Sequence, residues 1–225
     1  MDSCRNCHIH SEAYGVLKPP EMEQFEKGCT QVHFEKRDKV TTEGVPTSHV
    51  LYLKKGLLKF CLKGSGGKDL ILQIMSPGSF VGLHDVFAGK VRYCSAIALT
   101  NATVCFISHD VFTMLIRNNG DFALEILKYI SLEEIKYFVR FLNMQEKQVN
   151  GRVAEMIVYL ADEIFHTNRF TIALTQSEMG TMIGTTRESV SRVIKEFRDD
   201  GILSWHHQTI EILNKDLLVK ISKAG

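Results

Sequence analysis

Residues 174–203, LTQSEMGTMIGTTRESVSRVIKEFRDDGIL, constrain this chain more than any other stretch, because two short amphipathic patterns meet at a single glycine. In the first pattern, Thr175-x-x-Glu178 is a capping box that satisfies free amide groups at a helix start. Met179, Met182 and Ile183 give that helix its apolar face. Gly184 ends it, as the residue best able to adopt the positive φ of a helix C-terminus. Thr185 is expected to open a second helix, with Val190, Val193, Ile194 and Phe197 turned inward. The opposite face then presents Arg187, Glu188, Ser189, Arg192 and Lys195. This is the pattern of a helix-turn-helix, whose partner is double-stranded DNA.

The residue types on the second helix suit a major-groove reader. An arginine fork matches guanine O6 and N7, and a carboxylate accepts from cytosine N4. Arg187, Glu188 and Arg192 are therefore the expected base contacts, with Ser189 beside them. Lys195, Thr175, Gln176 and Ser177 are expected on phosphates, which position a domain without reading sequence. The bland reading is that Glu188 completes a second capping box with Thr185 and the arginines form a solvated face.

Composition does not carry the DNA argument. The formal charge of the 225 residues is +1, and residues 151–225 hold nine Lys or Arg against ten Asp or Glu, a net of −1. Only a local basic patch is required. With 44% hydrophobic and 24% charged residues the chain reads as globular, with room for two modest domains. No apolar run approaches the roughly 20 residues of a membrane span, and no secretory signal is evident, so a soluble cytoplasmic protein is expected. The six cysteines, at 4, 7, 29, 61, 94 and 105, are read as reduced thiols, since a core of this size does not need disulfides.

Between about residues 30 and 110 the sequence is strand-like: VLYL at 50–53, GLLKFCL at 56–62, LILQIM at 70–75 and ATVCFI at 102–107. Gly, Pro and Ser punctuate these runs, as in a β-sandwich or barrel. GSGGK at 64–68 reads as a hairpin turn and Pro77-Gly78 as a strand end. From Phe122 to about Glu146 the pattern becomes a long helix, in which Leu132, Ile135, Val139 and Leu142 recur at spacings of three and four. Phe138 and Phe141 widen that stripe. A small barrel offers it nothing to pack on, so the same helix of a second copy is the expected partner, and the chain is read as a homodimer. The domains are then 1–121, a sensory β-barrel; 122–147, the dimerisation helix; and 148–225, a DNA-binding domain. Within the last, 148–151 reads as a hinge, Arg152 to Phe165 as a supporting helix, and Ile202 to Ile212 as a β-hairpin wing with Trp205 packed inward.

A β-barrel, a long helix, a hinge and a winged helix-turn-helix, in that order, resemble the CRP/FNR family of bacterial transcription regulators. The resemblance rests on Gly56 in LKKGL, on PGSFVG at 77–82, on GRVA at 151–154, and above all on RESVSR at 187–192. The implied fold is α+β: a cyclic-nucleotide-binding-like jelly roll, a dimer helix and a C-terminal winged helix. The implied function is effector-controlled transcription regulation at a two-fold related promoter site, with half-sites about 34 Å apart and RNA polymerase as a further partner. Arg187, Glu188 and Arg192 look like the residues of members that read a TGTGA-type half-site.

In relatives that bind cyclic nucleotides, a glutamate after the second barrel glycine holds the ribose hydroxyl and a later arginine neutralises the phosphate. After Gly82 this chain has Leu83, which cannot accept that hydrogen bond; an unpaired ribose hydroxyl costs about 1–3 kcal/mol. That argues against cyclic AMP. Arg92 matches the arginine, although Tyr93 and Cys94 do not continue the usual pattern, so Gly82, Leu83, Arg92, Cys94 and Ser95 are the expected effector position, open to an anion.

Cys4-Arg-Asn-Cys7 is a C-x-x-C pair within reach of one metal or iron-sulfur cluster. Cys105 resembles the barrel cysteine of oxygen-sensing members. No further cysteine follows closely as the third ligand of the N-terminal group, which leaves Cys29, His8 or His10 to serve, and the readings that stay open are a cluster, zinc or another metal, and plain thiols. His33, His49, His84 and His109 are the available axial ligands for a haem. A cupin-like metalloenzyme is the competing class, but its His-x-His belongs on barrel strands, whereas His8 and His10 precede them. The sequence also lacks a nucleophile elbow, a phosphate-binding glycine loop and a zinc-protease motif, so the chain is read as a non-enzyme.

Overall fold

Four consecutive residues of the run at 50–53, Val50 to Leu53, are at most 3% exposed, so this strand is covered on both faces. It belongs to a computed structural model that describes residues 11–225 except 65, 66, 68 and 90. The chain forms two compact units, Met1–Gly67 with Gln73–Ile135, and Lys68–Leu72 with Lys136–Gly225.

The N-terminal unit begins with helices α1 (Glu12–Gly15) and α2 (Pro19–Lys27). Strands β1 (Cys29–Phe34), β2 (Lys39–Thr41), β3 (His49–Lys55), β4 (Leu58–Lys63), β5 (Asp69–Met75) and β6 (Phe80–Val81) follow. Helix α3 (Leu83–Ala88), strands β7 (Ser95–Ala98) and β8 (Ala102–Ser108) and helix α4 (His109–Asn118) complete it, together with the first half of α5 (Gly120–Glu146). The strands form two four-stranded sheets ordered β1-β8-β3-β6 and β2-β7-β4-β5, with antiparallel pairing throughout the registers described. This is an open jelly roll and not a closed barrel.

Side-chain alternation divides the first sheet. Val50, Tyr52, Phe80, Cys105 and Ile107 share an aromatic cluster with Tyr14, Phe25, Phe112 and Phe122 of the covering helices. The other face buries Leu51, Leu53 and Val104, and the second sheet adds Leu58, Phe60, Ala96 and Ala98. Asn119, between α4 and α5, ties the cover together: its Nδ2 donates to Glu21 Oε2 at 2.8 Å and its Oδ1 accepts from Phe122 N at 3.0 Å. Tyr129 Oη accepts from Phe80 N at 3.0 Å, so the front half of α5 is bound to its own sheet. Phe122 and Ile126 are buried there. Leu132, Ile135, Phe138, Val139 and Leu142 are instead 50–63% exposed.

The C-terminal unit consists of α6 (Val149–Tyr159), a π-helical turn at Leu160–Phe165, β9 (Arg169–Thr171), α7 (Gln176–Ile183), α8 (Arg187–Asp199), β10 (Leu203–His206), β11 (Thr209–Ile212) and α9 (Lys215–Ala224). The expected supporting helix therefore starts three residues early, capped at Gln148, and its last turn widens into a π turn closed by His166 at φ 52°. Gly151 is no hinge. It is buried inside α6, where a Cβ would lie 2.6 Å from Gly225 Cα, so the glycine lets α9 pack close. Strands β10, β11 and β9 form the antiparallel wing sheet, with Trp205 opposite Ile210 and its indole N–H donating to His207 O at 2.9 Å. Pro77-Gly78 follows β5 as expected, with Gly78 at φ 98°. The expected turn at 64–68 includes residues outside the described set.

Candidate nucleic-acid interface and effector position

The helix-turn-helix is built by local hydrogen bonds that the sequence encodes. Thr175 is extended at φ −76°, its Oγ1 accepts from Glu178 N at 3.2 Å, and Glu178 Oε2 accepts from Thr175 N at 2.8 Å. The capping box thus forms in full. Gly184 closes α7 in the left-handed conformation at φ 67°, and its N–H donates to Gly180 O. The Arg152 guanidinium donates to Ile183 O at 3.0 Å and Gly184 O at 3.3 Å. A cation is well placed there, because the last carbonyls of a helix carry its negative dipole end.

The second helix begins one residue later than the sequence suggested. Thr185 N donates to Gly180 O at 2.9 Å and so belongs to the turn. Thr186 is the cap, extended at φ −87°, with its Oγ1 accepting from Ser189 N at 3.2 Å. Glu188 therefore forms no capping box with Thr185. A glycine at 180 is also required: a Cβ there would lie 2.8 Å from Thr185 O and 3.2 Å from Thr186 C. These three roles, of Arg152, Gly180 and Thr186, were not read from sequence. Thr186-x-x-Ser189 was the available signal for the cap, but Thr185-x-x-Glu188 overlaps it.

On α8 the apolar residues Val190, Val193, Ile194 and Phe197 are all buried. Arg187, Glu188, Arg192 and Lys195 are exposed, Arg187 and Glu188 in the first turn and Arg192 one turn on, with Ser189 partly covered. Thr175 and Ser177 are exposed and Gln176 is half-buried at the start of α7. The structure therefore places Thr175, Gln176 and Ser177 at the start of α7, Arg187, Glu188 and Ser189 in the first turn of α8, and Arg192 and Lys195 further along α8.

At the expected effector position the residues are packed and internally bonded. Gly82 caps α3 at φ 69°, and Leu83 is buried at its start. The Arg92 side chain is 5% exposed; its Nη1 donates to Asp85 Oδ2 at 3.3 Å and its Nη2 to His49 O at 2.7 Å. Asp85 is fully buried and its Oδ1 also accepts from Tyr93 N at 3.0 Å. Burial pulls the Arg92 guanidinium below its ordinary pKa, opposed by the Asp85 charge. Cys94 is buried, and its thiol is pushed up to about 12, first by desolvation and then by the negative neighbours Asp85 and Glu43. Ser95 Oγ accepts from Glu43 N at 3.0 Å. Asp85 was not among the sequence candidates; it stands seven residues before Arg92, and only the fold makes them partners.

The other candidates are dispersed. Cys4 and Cys7, with His8 and His10, lie outside the described residues. Cys105 is buried in the aromatic cluster and Cys29 packs at its edge, on adjacent strands. Among the described residues no group of three or more His, Cys, Asp or Glu is arranged to hold a metal ion. His33 contacts Thr103 Oγ1 at 3.0 Å, His49 contacts Ser48 Oγ at 2.9 Å, His84 approaches Asp85 and His109 approaches Asp110, on four separate elements. Among these residues no helix is long and apolar enough to cross a membrane.

Comparison with known proteins agrees with both units. Residues 31–119 match the cyclic nucleotide-binding domain and residues 151–221 the Crp-like helix-turn-helix domain. The chain is 27% identical to the cAMP-activated global transcriptional regulator CRP of Salmonella typhimurium, over 86% of this chain and 94% of that protein. Among solved structures it is similar to FixK2 from Bradyrhizobium japonicum, with a TM-score of 0.78 at 19% identity, over 86% of this chain and 96% of that one. It is also similar to the c-di-GMP responsive global regulator CLP of Xanthomonas campestris, with a TM-score of 0.70 at 20% identity, over 87% and 99% of the two chains.

Proposed function

This chain belongs to the CRP/FNR family of transcription regulators, and from that premise we propose that it acts as a homodimer reading a two-fold related promoter site through α8, under an effector other than cyclic AMP. It is a DNA-binding regulator, and regulators of this family are not enzymes. The observation that carries the finer reading is the division of α8. Its four apolar residues are buried, while Arg187 and Glu188 at its start, and Arg192 and Lys195 further along, stay exposed. Side chains there reach base edges when the helix enters a major groove. Arg187, Glu188 and Arg192 then read bases. Lys195, Thr175, Gln176 and Ser177 hold phosphates.

Dimerisation is supported by α5, where six large apolar residues, from Leu132 to Leu142, are each at least half exposed. An apolar stripe of that kind seeks a partner helix. The Salmonella relative is described as cAMP-activated and the Xanthomonas one as responsive to c-di-GMP, so similar chains serve different effectors. In this chain Leu83 is buried where a ribose-binding glutamate would stand. Bound at promoters in the cytoplasm, the dimer would meet RNA polymerase as its second partner.

Fluorescence anisotropy on DNA selected from random fragments tests the reading. Arg187→Ala is expected to cost about 1–3 kcal/mol on the selected site and relax discrimination at one guanine. Lys195→Ala should weaken selected and random DNA alike and reduce the salt slope by about one. Equal losses on both DNAs for Arg187→Ala would refute base reading.

A further inference from the structure

Arg92, the arginine expected to receive an anion in the N-terminal unit, is already paired with a carboxylate. Asp85, on α3, has no exposed surface, and its two carboxylate oxygens are held from three directions. Arg92 Nη1 reaches Oδ2 at 3.3 Å, Tyr93 N donates to Oδ1 at 3.0 Å, and His84 Nε2 lies 3.3 Å from Oδ1. The second amino group of Arg92 is committed to His49 O at 2.7 Å. Backbone bonds fix the arginine from behind: Arg92 N donates to Val45 O at 2.9 Å and Gly44 N to Arg92 O at 2.8 Å. Gly82 leaves no slack above the pair, because a Cβ on it would run into both Asp85 Oδ2 and Arg92 Nη1.

We propose that Asp85 is the specificity-determining residue of this sensory unit: its carboxylate fills the oxyanion position on Arg92 and excludes phosphate-bearing effectors as a class. The proposal rests on the reading of the unit as sensory, and it names what the unit refuses. The reason is electrostatic as well as steric. A phosphate oxygen could reach Arg92 only by displacing the carboxylate, which would leave a second buried negative charge beside the incoming one without its cation. With Asp85 in place the pair is neutral and its strongest donors are used. Without it, Arg92 becomes a buried guanidinium facing a vacated oxyanion position. Arginine suits that role through its planar fork of donors.

The test uses the full chain and two probes that share the phosphate oxyanion, cyclic AMP and inorganic phosphate. Calorimetric titration of the wild-type protein should show no binding of either up to roughly 1 mM. Asp85→Ala should melt lower than wild type, and added phosphate should raise its melting temperature beyond any rise in wild type, as mass action predicts for a ligand of the folded state. Asp85→Ala with Arg92→Gln should lose that response. A response to cyclic AMP and not phosphate would identify a nucleotide site; a response to both, a general oxyanion site; either supports the proposal when it depends on Arg92.

Wild-type binding of either probe that is lost in Arg92→Gln would overturn it, and so would a folded Asp85→Ala protein indifferent to both. If Asp85→Ala does not fold, Asp85→Asn, which keeps an acceptor for Tyr93 N, takes its place, and the wild-type titration decides on its own in any case. Selective DNA binding by the same wild-type preparation is scored separately. Its loss would count against the regulator reading and leave the ligand result intact.

Discussion

Replacing Gly180 by alanine sets two known effects against each other inside the helix-turn-helix. Alanine is the better helix former by about 1 kcal/mol at an interior position. The added Cβ, however, would lie 2.8 Å from Thr185 O, 3.2 Å from Thr186 C and 3.3 Å from Thr186 O. All three are backbone atoms and none is the end of a flexible side chain. The turn is pinned by Thr185 N to Gly180 O at 2.9 Å and by the Thr186 cap at 3.2 Å. Overpacking of this kind costs about 1–3 kcal/mol. The difference predicts a net destabilisation of the C-terminal unit of about 1 kcal/mol. DNA affinity should suffer more, since relief of the clash moves the start of α8, and one misplaced bidentate base contact costs about 1–3 kcal/mol. The assay is favourable because the chain has one tryptophan, Trp205, on β10 of that unit. Urea unfolding followed by its fluorescence reports the stability, and anisotropy the affinity. Gly120→Ala is the control, followed by circular dichroism because it lies in the N-terminal unit: it opens α5 with nothing within 4 Å of its Cβ and should be neutral or slightly stabilising. A Gly180→Ala protein as stable as wild type with unchanged affinity would refute the close-approach argument.

Other predictions follow from single contacts. Thr186→Ala should cost about 1 kcal/mol in the same urea assay, with Thr186→Ser near wild type, because an N-cap oxygen is lost in one and kept in the other. If Thr185→Ala costs more than Thr186→Ala, the cap has been assigned to the wrong residue. Phe138→Asp should weaken the dimer by about 2 kcal/mol or more, roughly thirtyfold in dissociation constant, by sedimentation equilibrium; an unchanged molecular mass would remove α5 from the interface. Burial raises Cys94 from 9.0 to about 12, so the folded state holds its proton more tightly than the unfolded chain. That stabilisation is complete below the unfolded value and is lost as pH rises from about 9 toward 12. Cys94→Ala should flatten the alkaline fall in stability across that window, and an identical profile would count against the assignment.

What the sequence made legible is what local pattern controls. The helix-turn-helix was readable because capping residues, a terminal glycine and a 3.6-residue apolar period all fall within thirty residues. The one-residue error at Thr185 arose because two threonines in succession each have a partner three residues on, and only the hydrogen-bond geometry separates them. Strands β3, β4, β5 and β8 were visible as apolar runs, whereas β2 and β6, with three and two residues, are too short to carry a period. The front half of α5 reads irregularly because Phe122, Ile126 and Tyr129 serve its own sheet, while the later stripe keeps a clean repeat. The close packing of Gly151 against Gly225 was not legible, because a glycine's local signal is the same for a bend and for a close approach. The Asp85–Arg92 pair was invisible for a different reason: its partners are joined by tertiary folding around α3, and no spacing rule announces them.

That pair also limits how such a chain can change over generations. Losing either partner alone leaves a buried charge uncompensated, at about 3–5 kcal/mol, a large part of the roughly 5–15 kcal/mol that keeps a domain folded. A single substitution at 85 or 92 is therefore expected to threaten folding before any question of signalling arises. The pair therefore works as a ratchet: any stepwise route from it to an open anion site runs through a barely folded intermediate, unless the anion itself is abundant enough to stand in for the missing side chain.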